Sequence, residues 1–152
     1  MKAENYIKLD FPSRSSNEVF ARTAAAAFAA QLDPTLEELG DIKTAVSEAV
    51  TNAIVHGYAG GRGTVRLFAG YTGEGHFRVD VIDRGCGIAD VQKARQPFFT
   101  TSKGDQERSG MGFTVMESFM DAVEVESEAG QGTTVRLTKR LHPRDEAVPR
   151  RA

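Results

Sequence analysis

The stretch from Ile42 to Ala53 constrains the fold more than any other. Ile42, Ala45, Val46, Ala49, Val50 and Ala53 fall at i, i+3, i+4, i+7, i+8 and i+11, a single apolar stripe that only a helix lying on a core can bury. Thr35 and Glu38 have the spacing of a capping box, and Gly57 stands where such a helix stops, so the helix is expected to run to about His56. A helix with one apolar stripe needs a second layer. The chain offers a sheet: from Asn5 to Phe11, Tyr6, Lys8 and Asp10 alternate with Ile7, Leu9 and Phe11, the period-two pattern of a strand with one buried face.

Pro12 and the serines at 13, 15 and 16 break that strand. An alanine-rich run, Glu18 to Leu32, then reads as another helix, with Ser16 or Asn17 as its cap. Beyond Gly63, strands are expected at about 64–71 and 76–83, with Thr72-Gly73-Glu74-Gly75 as the hairpin turn. Gly110-Met111-Gly112 opens a third helix whose apolar face is Phe113, Met116, Phe119, Met120 and Val123. Strands at about 122–127 and 133–139, joined by Ala129-Gly130-Gln131-Gly132, close the domain. Residues 95–109 are polar and without period, too long for an ordinary connection and therefore a candidate functional lid. For 152 residues this order predicts one α+β domain over 1–140, a two-layer sandwich of mostly antiparallel sheet with helices on one face. A disordered tail is expected over 141–152.

Charge narrows the function. Nineteen Lys and Arg against twenty-one Asp and Glu give a net charge of -2, so there is no basic field for nucleic acid. No apolar run approaches the roughly 20 residues that span a bilayer, and residues 1–11 lack the apolar centre of a signal peptide, which points to a cytoplasmic protein without a membrane partner. A lone cysteine, Cys86, excludes an internal disulfide and a thiolate-rich zinc site. Carboxylates, amides, backbone groups and a hard cation are left to do the chemistry.

Three segments offer it. On a wheel of about 100° per residue, Glu48 and Asn52 lie side by side at the rim of the apolar stripe, where one could accept a proton and the other offer its carbonyl oxygen to Mg²⁺. Spacing alone describes a solvated Glu–Asn pair more readily than a catalytic one. Asp83-x-Gly85-x-Gly87 follows a strand; its glycines let backbone pass close to a flat ligand, and the aspartate can accept from an exocyclic amine such as adenine's. Gly110-x-Gly112 delivers bare N–H groups to a helix N-terminus, which favours phosphate, and Lys103 and Arg108 in the preceding loop could close over it. Each signal is commonplace alone. In this order, with the right element at each, they describe an ATP pocket that is neither a Walker loop nor a Rossmann site.

The same residues resemble a known family, the ATP-binding fold shared by DNA gyrase, Hsp90, sensor histidine kinases and MutL. Glu48 to Ala53 is similar to its N box, Asp83 to Ile88 to its first glycine box, and Gly110 to Phe113 to its second. Longer segments resemble the anti-sigma F factors: Asn17 to Arg22, Gln31 to Thr35, Val46 to Tyr58, Ala94 to Pro97, and Arg108 to Glu117. The resemblance implies a homodimer that inhibits a sporulation sigma factor and uses ATP and Mg²⁺ to phosphorylate a serine of a small anti-anti-sigma protein. It makes Glu48 the base, Asn52 the Mg²⁺ ligand, Asp83 the adenine reader, Gly85 and Gly87 the wall of the base pocket, and Gly110 and Gly112 the phosphate cradle. By the same resemblance Arg108 would contact the γ-phosphate, Thr133 would help hold the base, Thr100 and Thr101 would belong to the nucleotide site, and Arg22 would lie on the surface shared by the competing partners. Cys86 and Arg84 stand where the family commonly has an aliphatic residue and an acid. The rival readings are a kinase serving a stress sigma factor, a sequestering module without turnover, and a detached histidine kinase domain. Against the last, none of His56, His76 and His142 sits on a dimerisation helix pair.

Overall fold

In a computed structural model, which describes residues 2–59, 61–96 and 112–141, five strands form one antiparallel sheet in the order β1-β2-β3-β5-β4. They are β1 (Asn5–Pro12), β2 (Thr64–Tyr71), β3 (His76–Asp83), β4 (Ala122–Glu128) and β5 (Gly132–Arg140). The helices are α1 (Ser16–Ala29), α2 (Leu36–Asn52), a single turn α3 (Val91–Ala94) and α4 (Gly112–Phe119). Helix α1 packs on α2 and α2 on α4, all over one face of the sheet. This is the expected two-layer α+β sandwich.

The apolar stripe of α2 is buried throughout, with Ile42, Ala45, Val46 and Val50 fully enclosed. Phe77, Val79 and Val81 of β3, Leu67 of β2, Leu137 of β5 and Met116 of α4 meet it from the sheet and from the neighbouring helix. Burying such side chains supplies about 1.5–3 kcal/mol each, which makes this interface the main support of the fold. Alternation carries one polar residue to the same face: Asp83, two places after Val81, ends β3 beneath the helices and pairs in register with Thr133 of β5. On the opposite face Asp80 is buried between Arg78 and Arg136, and Arg136 reaches on to Glu124.

The Thr35–Glu38 capping box forms, with Glu38 N–H to Thr35 Oγ1 at 3.0 Å and Thr35 N–H to Glu38 Oε1 at 2.8 Å. The hairpin turn at 72–75 closes through Thr72 N–H to His76 O, 3.0 Å. Elsewhere the chain departs from its periodicity. The second helix is α-helical only to Asn52; Ala53–Gly57 is a π turn, closed by Tyr58 N–H to Ala53 O at 3.2 Å. Ala53 stays buried in the π turn, as the stripe requires of it, so the stripe could not reveal the change. The cap of α1 is at Ser15, without a side-chain bond, and Asn17 donates instead to Pro12 O at 2.9 Å. The turn α3 carries no periodic signal; Asp90 caps it by accepting from Lys93 N–H. Helix α4 stops at Phe119, which is 37% exposed, and Val123 of its expected apolar face belongs to β4. Leu141, assigned by sequence to the tail, is buried and donates its N–H to Gly75 O. Most of the candidate lid lies outside the described residues.

Candidate functional site

The site forms where the last turns of α2, the end of β3 and the start of α4 meet. Glu48 and Asn52, one turn apart on α2, both reach the bare Cα of Gly112. A methyl group there would sit 3.2 Å from Asn52 Nδ2, 3.3 Å from Asn52 Oδ1 and 3.3 Å from Glu48 Oε2. The carboxylate and carboxamide therefore converge on the first residue of α4, whose N-terminus favours anions.

Asp83 is 6% exposed, and its carboxylate accepts N–H bonds from Gly85, at 2.9 Å, and from Thr133. Burial pushes its pKa above the ordinary aspartate value, while the two N–H donors pull it back. Among the described residues no cation pairs with it. A buried carboxylate held by amides alone is costly for folding, and such groups concentrate where a ligand supplies the missing partner.

The glycine turn that follows is wedged between two pieces of backbone. A methyl group on Gly85 would lie 1.7 Å from Gly57 O, and one on Gly87, at φ +72°, would lie 2.1 Å from Glu128 O. Cys86 N–H donates to Gly57 O at 2.8 Å and Cys86 O accepts from Gly130 N–H at 2.7 Å, which fixes the turn on both sides. Thus protein contacts already exclude a Cβ at both positions. Arg84 N–H donates to Tyr58 Oη, which in turn donates to Thr64 O, each at 2.7 Å. Ser127 Oγ accepts from Ile88 N–H and lies 2.7 Å from Thr133 Oγ1, so Thr133 contributes both its N–H and its hydroxyl to the region.

Two cavities adjoin these residues. One, of about 520 Å³, is lined by Asp83, Ser127 and Thr133 but also by Ile82, Glu126 and Thr134, whose alternation puts them on the helix-free face; it lies behind the sheet rather than over the Asp83 carboxylate. The other, of about 360 Å³, is a groove between α1 and α2 lined by Arg22, Thr23, Lys43, Thr44, Ser47 and Glu48. Arg22, which also pairs with Glu18 at 3.5 Å, therefore shares a groove with Glu48.

Glu48, Asn52 and Gly112 thus come together, as do Asp83, Gly85, Gly87 and Thr133. Thr100, Thr101, Arg108 and Gly110 lie outside the described residues. No cluster of three His, Cys, Asp or Glu side chains able to hold a metal exists among the described residues. Asn52 with Glu48 nearby suits Mg²⁺, which takes few protein ligands and completes its shell with phosphate oxygens and water. Sequence reasoning missed Gly57, Tyr58 and Ser127. From sequence Gly57 reads only as the stop of the α2 helix, Tyr58 only as the end of a resembling segment, and Ser127 as an ordinary strand residue.

Residues 11–139 match the family model of the histidine kinase-like ATPase domain. The anti-sigma F factor of Thermoanaerobacter sp. (strain X514) is 58% identical over 139 residues, covering 91% of this chain and 96% of that protein. The anti-sigma F factor of Geobacillus thermodenitrificans is 55% identical over 137 residues, 90% and 93% of the two chains. Among solved structures, the RsbU and RsbW domains of a Mycobacterium tuberculosis protein superpose with a TM-score of 0.62 at 24% identity, over 90% of this chain and 32% of that one. Full-length ShkA in complex with AMPPNP gives 0.55 at 20% identity, over 88% and 36%. This chain spans about a third of those two, and the likeness to them is one of fold. Relatives of more than half identity, matched almost from end to end and joined to a family model that covers most of the sequence, make this chain a member of the anti-sigma F factor family, built on the histidine kinase-like ATPase domain.

Proposed function

We propose that the protein is both an anti-sigma factor and an ATP-dependent serine-protein kinase. It holds a sporulation sigma factor of the sigma F type inactive, and it phosphorylates a serine of the small anti-anti-sigma protein that competes for it. The observation that carries the kinase half is the convergence of Glu48 and Asn52 on Gly112, a carboxylate and a carboxamide at the N-terminus of a helix.

In this reading Asp83 accepts from the adenine amine, and Thr133 and the turn at Gly85 and Gly87 enclose the base. Gly112, with Gly110, offers N–H groups to the phosphates; Thr100, Thr101 and Arg108 complete the nucleotide site, with Arg108 on the γ-phosphate. Asn52 would hold Mg²⁺, which neutralises phosphate charge when bound. Transfer is then mainly positioning. As the serine oxygen bonds the γ-phosphorus, the bond from that phosphorus to the bridging oxygen breaks, ADP leaves with its electron pair, and the hydroxyl proton passes to Glu48. A positioned base of this kind contributes roughly 10²–10⁴-fold. The active unit we infer is a cytoplasmic homodimer, with Arg22 on the surface its partners share.

The test is incubation of the full chain with γ-labelled ATP, Mg²⁺ and the cognate anti-anti-sigma protein, alongside pull-downs in ATP and in ADP. Label on one serine, absent with Glu48→Ala, is the expected result. Capture of a sigma factor without any label would leave a sequestering module in place of a kinase.

A further inference from the structure

The groove between α1 and α2 is lined by none of Asp83, Gly85, Gly87, Thr133 and Gly112, yet Glu48 is one of its walls. Thr44, Glu48 and Asn52 succeed one another at i, i+4 and i+8 on α2, so a single row of side chains runs from the groove, past the carboxylate, to the Asn52 amide at Gly112. In an in-line displacement the nucleophile enters opposite the leaving group. If phosphate lies on the Gly112 side of Glu48, the groove is the side left for the acceptor. We infer that this groove receives the acceptor segment of the protein substrate, and that Lys43 selects an acidic residue next to the acceptor serine; the inference rests on the kinase reading above.

The chemistry of the walls fits an extended, anionic peptide. Thr23, Thr44 and Ser47 supply hydroxyls, and Arg22 and Lys43 supply two cations. Arg22 already has Glu18 as a partner. Lys43 is exposed and pairs with no carboxylate among the described residues. Since Glu48 supplies the one negative charge at the inner end, a carboxylate on the peptide is attracted toward Lys43 and repelled from the base, which sets the direction in which the segment lies. Val19 and Phe20, 51% and 62% exposed, stand one turn before Arg22 and Thr23 on α1 and offer apolar contact to the body of a protein that delivers the segment.

The test compares wild-type, Lys43→Ala and Lys43→Glu full-length protein with the cognate anti-anti-sigma protein. Binding is measured with a non-hydrolysable ATP analogue and Mg²⁺; kcat and KM are measured with ATP. Lys43→Glu is expected to raise both Kd and KM about tenfold, through loss of an attractive pair and gain of a like-charge one, with Lys43→Ala between. The kcat and the affinity for the ATP analogue are expected to stay within about twofold of wild type, as Lys43 is none of the residues assigned above to the nucleotide or to proton transfer. Reversing to lysine, one at a time, each carboxylate within a few residues of the serine restores binding to Lys43→Glu for one position. Unchanged Kd and KM in Lys43→Glu, or no rescue at any position, overturns the inference. Absence of transfer by the wild type with binding still dependent on Lys43 overturns the kinase reading instead and leaves the groove as a docking site.

Discussion

The bare Cα of Gly57 lies against the carboxylate of Asp83: a methyl group there would stand 2.7 Å from Cγ and from Oδ1 and 2.9 Å from Oδ2. The aspartate is short and held by two N–H groups, so it cannot make room without leaving them. Gly57→Ala is therefore expected to fold, since its backbone has an ordinary φ, but to displace the carboxylate. Loss of a charged hydrogen bond of this kind costs on the order of 1.5–3 kcal/mol of ATP affinity. Titration calorimetry with an ATP analogue checks it, and a double variant with Asp83→Asn should lose little more than either single one, because both remove the same interaction.

Asp83→Asn separates binding from stability. For a carboxyl group whose folded pKa is raised, the unfolded state gives up its proton first. Stability therefore falls as pH rises from 3.8 through the folded pKa, and the cost is fully present above both values. Asparagine never ionises, and its Oδ1 can still accept an N–H bond. Without nucleotide the variant should match or exceed the wild type in Tm at neutral pH, and the gap should close as the pH is lowered toward the ordinary aspartate range. ATP affinity should fall at the same time. A variant less stable than wild type at neutral pH would make Asp83 a structural residue.

What the sequence announced and what it hid follow from the range of each signal. The α2 stripe and the alternation in β1 repeat along the chain and the capping box spans only Thr35 to Glu38, and all three appear as expected. Glu48 and Asn52 could be paired because one helix sets their spacing. The π turn could not be anticipated, because the buried stripe carries through Ala53 whichever hydrogen-bond pattern follows; Gly57 O at its end accepts from Cys86 N–H, across a contact that no local pattern encodes. In the sequence the two glycines of the Asp83 segment signal room for a ligand. Their close approach to Gly57 O and Glu128 O gives them a second reason, visible only once the turn after α2 and the end of β4 are in position.

Tyr58 follows from the same contact. Its hydroxyl accepts from Arg84 N–H and donates to Thr64 O, both at 2.7 Å, and its ring lies over Gly63. Tyr58→Phe keeps the ring and removes both bonds, at a cost of about 0.5–1.5 kcal/mol for each. Because Arg84 immediately follows Asp83, the loss should loosen the adenine side of the site, raising KM for ATP several-fold while kcat stays unchanged. A fall in kcat with unchanged KM would contradict this assignment.

Gly112 gives the sharpest test of the phosphate side. A methyl group at its Cα would stand 3.2–3.3 Å from the ends of Asn52 and Glu48, tight but not prohibitive, since both are side-chain ends that can yield by a few tenths of an ångström. Gly112→Ala should therefore fold and bind adenine nucleotide through Asp83, yet push the base and the amide out of line. Misplacement of reacting groups by about 1 Å costs roughly 10²-fold in rate, so a shift of a few tenths of an ångström should lower phosphorylation of the antagonist by up to about tenfold. Glu48→Ala should lose transfer more completely with ATP affinity nearly intact. Measured together by single-turnover transfer and nucleotide binding, the two variants distinguish a base that is misplaced from one that is missing. Equal loss of binding and transfer in Glu48→Ala would instead mark the glutamate as a support of the helix interface.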